Sequence, residues 1–138
     1  MVAVFVVLAL GAAGSSDAPP VTVILEKTTL TAKDALVVVV ENHLEESVFL
    51  PGCNHFLIEM KTGDSWKVTR EKRCFWEGLS EEVAAGKSRR FEETIEGLAP
   101  GSYRVRVDYS KGCKPGVPLS EGNCGDKAST ASTDFTVK

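Results

Sequence analysis

A chain of 138 residues, 43% hydrophobic and 25% charged, is one domain's worth of ordinary globular composition, which excludes disorder as its default state. Its 16 basic and 19 acidic residues leave a net charge of -3. A nucleic-acid binder would carry a strong basic excess instead, so no nucleic-acid partner is expected.

In chain order, residues 2–10 are almost wholly apolar, and Ala12, Ala13 and Gly14 place small residues where a signal peptidase reads. The run is too short to span a membrane, which takes about 20 apolar residues. No basic residue precedes it, which is unlike the ordinary signal start, and no cysteine follows it in the bacterial lipoprotein manner. The expectation is a signal peptide over 1–14, a flexible leader over 15–20 and one domain over 21–138. The protein would then be extracytoplasmic, periplasmic or secreted, with no integral membrane span after signal removal.

Beyond the leader the segments are short, rich in valine, threonine and aromatics, and separated by Gly, Pro, Asp and Ser. That pattern predicts an all-β domain. Residues 21–26 read as a first edge strand, with Leu30 continuing toward the core. Residues 35–41 (ALVVVVE) form a continuous apolar run and so a central strand. Strands follow at 47–50, 56–61 and 66–70, the last two flanking a turn at Thr62, Gly63 and Asp64. Residues 79–85 carry the best helical period, enough for one turn. Strands resume at 88–95, 103–109 and 130–137. In 103–109 the apolar side chains Tyr103, Val105, Val107 and Tyr109 alternate with Arg104, Arg106 and Asp108, as in a strand with one wet face. Phe135 and Val137 point inward in the last strand. Roughly seven or eight antiparallel strands in a domain of this size suit two packed sheets. The expected core includes Val38, Val40, Ile58, Trp66, Phe91 and Val105.

The hairpin over 56–70 can be put in register. With Met60 opposite Trp66, Ile58 faces Val68 and Phe56 faces Arg70. Phe56, Ile58, Met60, Trp66 and Val68 then share one apolar face against the core. Cys53 and Cys74 fall one residue off this register, at the open end of the hairpin.

The four cysteines of an exported chain suggest disulfides, with three connectivities possible. The register favours Cys53–Cys74. Cys113–Cys124 is favoured because the pair flanks one long Pro/Gly-rich loop between the last two strands. Closing a loop of about 20 residues is worth roughly 3 kcal/mol on the chain-entropy model. The alternative is a metal carrier built on Cys53 and His55. No second pair has ligand spacing, so neither metal nor cofactor is expected.

The stretch Leu98, Ala99, Pro100, Gly101, Ser102, Tyr103 resembles the L-x-P-G-x-Y lead-in to the penultimate strand of immunoglobulin-like and fibronectin-like sandwiches. There the tyrosine hydroxyl bonds back to the chain just before it, as a tyrosine corner. Residues 21–138 also look like a set of uncharacterised secreted bacterial immunoglobulin-like β-sandwich proteins. The carrying residues are Val48, Phe49, Leu50, Pro51, Gly52 and Cys53, then Arg73 and Cys74, the Pro100 to Tyr103 turn and the second cysteine pair. The resemblance implies an immunoglobulin-like antiparallel sandwich with two local disulfides. It implies no reaction, because such sandwiches host unrelated functions.

No nucleophile elbow, zinc-protease helix motif, phosphate-binding glycine loop or EF-hand loop occurs in the sequence. His43 and His55 both fall in loops, and adjacent glutamate pairs such as Glu92 and Glu93 point to opposite faces of a strand. The expectation is therefore not an enzyme but an exported module that binds an unknown protein or envelope component, as a monomer. Candidate binding residues are Phe75 and Trp76, two aromatics beside Cys74, and Val117, Pro118 and Leu119 in the second cysteine loop. The same loops could instead act as a protease inhibitor.

Overall fold

The computed structural model describes residues 19–70, 80–114 and 124–138. Among them the chain forms strands β1 (Val21–Leu25), β2 (Thr29–Leu30), β3 (Ala35–Asn42), β4 (Val48–Leu50), β5 (Leu57–Thr62), β6 (Ser65–Arg70), β7 (Glu81–Val83), β8 (Ser88–Thr94), β9 (Gly101–Cys113), β10 (Cys124–Ala131) and β11 (Phe135–Val137). No helix occurs among the described residues, and in particular none long and apolar enough to cross a membrane.

The apolar run of β3 lies at the centre of a three-stranded antiparallel sheet, β1-β3-β8. Leu36, Val38, Val40 and Asn42 are buried, while Val37, Val39 and Glu41 between them are half-buried. Period two therefore holds even where the sequence is apolar throughout.

The second sheet is organised by the long strand β9. One side of β9 pairs with β11 and then with β10, and the other with β5 and then with β4. Strand β6 lies outside β5, β7 outside β4, and β2 pairs in parallel with β11. Tyr103, Val105, Val107 and Tyr109 are buried as their alternation predicts. They join Val21, Val38 and Val40 from the first sheet, and Val48, Ile58 and Phe135 from the second, in one hydrophobic cluster.

Three expectations need correction. Residues 81–83 are a strand, not part of a helical turn, because Glu81, Glu82 and Val83 pair with Leu50, Phe49 and Val48 and this buries Val83. Leu30 reaches the core as expected, but on a separate strand, because β2 pairs with β11 of the second sheet instead of extending β1. The expected last strand is two strands, broken where Ser132 turns into the ladder, its N–H on the Val105 carbonyl (2.8 Å) and its hydroxyl accepting from the Val105 N–H (2.9 Å).

The third correction is the hairpin register. The turn has two residues, Gly63 and Asp64, so Lys61 faces Trp66, Met60 faces Lys67 and Glu59 faces Val68. Gly63 supplies φ of 63° at the first central position, as a tight type II′ hairpin turn requires. An irregularity between Ile58 and Glu59 then sets Ile58 opposite Arg70. One residue of slip moves a side chain to the other face. Ile58 and Met60 face the core, but Trp66 and Val68 lie on the outer face with Glu59 and Lys61, and Trp66 is only half-buried.

Candidate functional site

The outer face of the second sheet carries a connected polar network. It starts from Glu59, which is 3% exposed although it points away from the core. Register places Glu59 opposite Arg104 on one side and Val68 on the other. Arg104 Nε donates to Glu59 Oε1 at 2.8 Å, and Arg106 Nη1 donates to Oε2 at 2.9 Å. Both carboxylate oxygens are thus held by charge-assisted bonds, which makes burial of the charge tolerable. Arg106 leans on to Asp108, with Nε 3.2 Å from Oδ1 in an ion-pair contact. Ser129 of β10 donates to the same Oδ1 at 2.6 Å.

Trp66 covers one end of this network. The Arg104 guanidinium carbon lies 4.4 Å from the centroid of its ring, and Lys61 Nζ lies 5.9 Å from it. Cations within about 6 Å of an indole face are attracted by its quadrupole. The result is a half-buried aromatic plate flanked by two cations, on a sheet face that no other described strand covers. Chemically it suits a surface that offers carboxylates and apolar contact, and Trp and Arg are the residues that most often dominate binding energy. The sequence reading missed it because the register error turned Trp66 inward.

The residues singled out from the sequence are distributed otherwise. Cys113 and Cys124 are disulfide-bonded and face each other across β9 and β10. Cys53 lies between β4 and β5. Cys74, Phe75 and Trp76, and Val117, Pro118 and Leu119, lie outside the described residues, and so does the expected pairing of Cys53 with Cys74. Tyr103 opens the buried row of β9. Its hydroxyl donates to the Ala99 carbonyl across Pro100 and Gly101, and its ring stacks on Phe135 at 5.6 Å. Burial pushes the Tyr103 phenol above its ordinary value.

His55 Nδ1 lies 2.7 Å from the Pro51 carbonyl, and its ring packs 5.1 Å from Phe91. No cluster of metal-ligating residues occurs among the described residues. His43 shows a superficially catalytic grouping. Its Nε2 is 2.9 Å from the Thr22 hydroxyl, which in turn donates to Glu41 Oε1 at 3.0 Å. The hydroxyl has one proton and gives it to the carboxylate, so Nε2 must donate to the oxygen. An imidazole serving as base needs the opposite polarity, with the carboxylate on its other nitrogen. The group is a cross-strand clasp between β1 and β3.

Comparison with protein-family models finds no match to the chain, and comparison with curated proteins finds none.

Proposed function

We propose that the chain is an exported, non-enzymatic immunoglobulin-like sandwich that binds a protein partner carrying acidic groups, through the outer face around Trp66. The observation that carries the reading is the Trp66 plate with Arg104 and Lys61, beside the ion pairs that Arg104 and Arg106 make to the buried Glu59.

The strand distribution supports the immunoglobulin-like part. The first, second main and fifth main strands (β1, β3, β8) share one sheet, and β5, β9 and the β10–β11 pair share the other. That division, together with the Tyr103 bond at the start of β9, supports the immunoglobulin-like reading. The Cys113–Cys124 bond suits an oxidising compartment, and a second bond between Cys53 and Cys74 belongs to the same proposal.

The test is chemical cross-linking of the purified domain in the native envelope fraction, comparing wild type with Trp66→Ala and Lys61→Glu. Circular dichroism first confirms that all three are folded. A partner captured by the wild type and lost from both variants supports the reading. Equal capture by all three, or capture by none, overturns it.

A further inference from the structure

Two cations lie against Trp66, and they are not equivalent. Arg104 is already committed: its Nε donates to the buried Glu59 at 2.8 Å, and its guanidinium carbon lies 4.4 Å from the indole centroid. A guanidinium held by a buried carboxylate and stacked on a ring is fixed in place by both. Lys61 is exposed, has no ion pair among the described residues, and reaches the ring only at 5.9 Å, near the outer limit of such a contact. It stands opposite Trp66 in the β5–β6 register, so the two side chains rise from the same face.

Trp66 and Val68 lie two residues apart on β6, so they share that face and form an apolar strip about 7 Å long beside Lys61. The acid facing Val68 is Glu59, and its charge is already matched by Arg104 and Arg106. On the reading that this face binds a protein partner, we infer that Lys61 selects the partner's acidic group, one aspartate or glutamate next to an apolar side chain. Arg104 and Glu59 are a positioning pair: they hold the indole, and neither meets the incoming carboxylate.

The two roles act differently on affinity. An exposed lysine meeting a carboxylate contributes as surface ion pairs do, about two- to fivefold, and salt screens it. Its removal abolishes the preference for an acid and leaves the apolar contact in place. A poorly held indole weakens the apolar contact, whatever charge the ligand carries. Varying the charge of the ligand therefore separates Lys61 from Arg104, which overall affinity does not.

The experiment titrates the full domain with acetyl-Leu-Glu-amide and, separately, acetyl-Leu-Gln-amide, which differ in one charge. Ligands this small bind in the millimolar range, so the titration runs to tens of millimolar. The readout is the NMR shift of the Trp66 indole N–H, identified by its loss in Trp66→Phe. Wild type should prefer the glutamate peptide about two- to fivefold, and the preference should shrink in about 0.5 M salt. Lys61→Met should bind the two peptides alike, and Lys61→Arg should restore the preference. Arg104→Gln should move the indole signal of the free protein and weaken both peptides together, with their ratio unchanged. Circular dichroism first shows which variants fold, and the exposed Lys61 series decides alone if Arg104→Gln does not. A preference that survives Lys61→Met, or that Arg104→Gln abolishes, overturns the inference. Equal binding of both peptides by wild type overturns it too, but leaves Trp66 as a binding surface. No shift of the Trp66 signal with either peptide overturns the proposed face along with it.

Discussion

Glu59 and Trp66 are neighbours on a sheet face that the sequence presents as wet, and each behaves unlike its residue type. Glu59 is an acid at 3% exposure, held by Arg104 and Arg106, whose side chains keep 28% and 31% exposure. Glu59→Gln keeps the shape and removes the charge. The arginines left behind can still reach water, so the loss should be about 2–3 kcal/mol, below the 3–5 kcal/mol of a fully buried pair. Urea denaturation reads it, and a loss under about 0.5 kcal/mol would mean that the pairs are in effect solvated. Trp66, if core, would cost about 3–5 kcal/mol on truncation to alanine. Lying half-buried on the outer face, it should cost about 1–2 kcal/mol, the worth of partial burial and two cation contacts. A third residue sets a pH dependence. The Thr31 N–H donates to Asp34 Oδ2 at 2.8 Å and, with smaller help from Lys27 and the Thr31 hydroxyl, holds the Asp34 carboxyl below its ordinary value of 3.8. A depressed folded-state pKa adds stability that is fully present above the unfolded-state value and disappears as pH falls through the folded one. The stability gap between wild type and Asp34→Asn should therefore be constant near pH 7 and close below about pH 4. Urea midpoints at pH 7, 4 and 2.5 check this, and a gap that does not change with pH would refute it.

At the scale of elements, the hairpin of β5 and β6 depends on Gly63. Its φ of 63° is cheap for glycine and strained for any other residue, although a Cβ there would meet nothing within 4 Å. Gly63→Ala should thus cost about 1 kcal/mol from backbone strain alone, seen as a lower thermal midpoint, with Gly63→Val costing more. Equal midpoints would show that the turn relaxes to another type. The same turn explains what could be read from the sequence. The strands at 35–41 and 103–109 were legible because an apolar run in one and an alternation in the other bury one row of side chains, and Tyr103, Val105 and Val107 lie where the alternation puts them. The hairpin was legible as a hairpin but not in register. Thr62, Gly63 and Asp64 all suit turns, and only backbone geometry decides that Thr62 pairs with Ser65. The Trp66 plate was hidden by that single residue of slip. Strand β7 was hidden for another reason. Three residues with two glutamates carry no strand period, and they are extended only because β4 offers them a ladder.

The two sheets share one apolar cluster, but a polar side chain also crosses between them. Asn42, the last residue of β3, is 1% exposed. Its amide nitrogen donates to the carbonyls of Glu46 at 2.8 Å and Val83 at 2.9 Å, with Ala84 at 3.3 Å, while its oxygen accepts from the Leu44 N–H at 2.9 Å. One side chain therefore fixes the turn after β3 and ties the first sheet to β7 of the second. Asn42→Ala leaves these backbone groups unpaired in the interior and should cost on the order of 2 kcal/mol. Asn42→Asp has nearly the same shape but reverses the chemistry. A carboxylate would face the carbonyl oxygens that the amide now serves, so at pH 7 the cost should rise to about 3–5 kcal/mol. Such surroundings favour the neutral acid and raise the pKa of the introduced carboxyl in the folded state. Its extra penalty is then absent below the unfolded-state value of about 4 and grows as pH rises through it. Asn42→Asp should be less stable than Asn42→Ala at pH 7 and should draw level with it, or pass it, at pH 3, where a protonated carboxyl can donate one bond. If the two variants keep the same order and spacing at both pH values, water must reach the site in the variants, and the sheets must be joined by the apolar cluster alone.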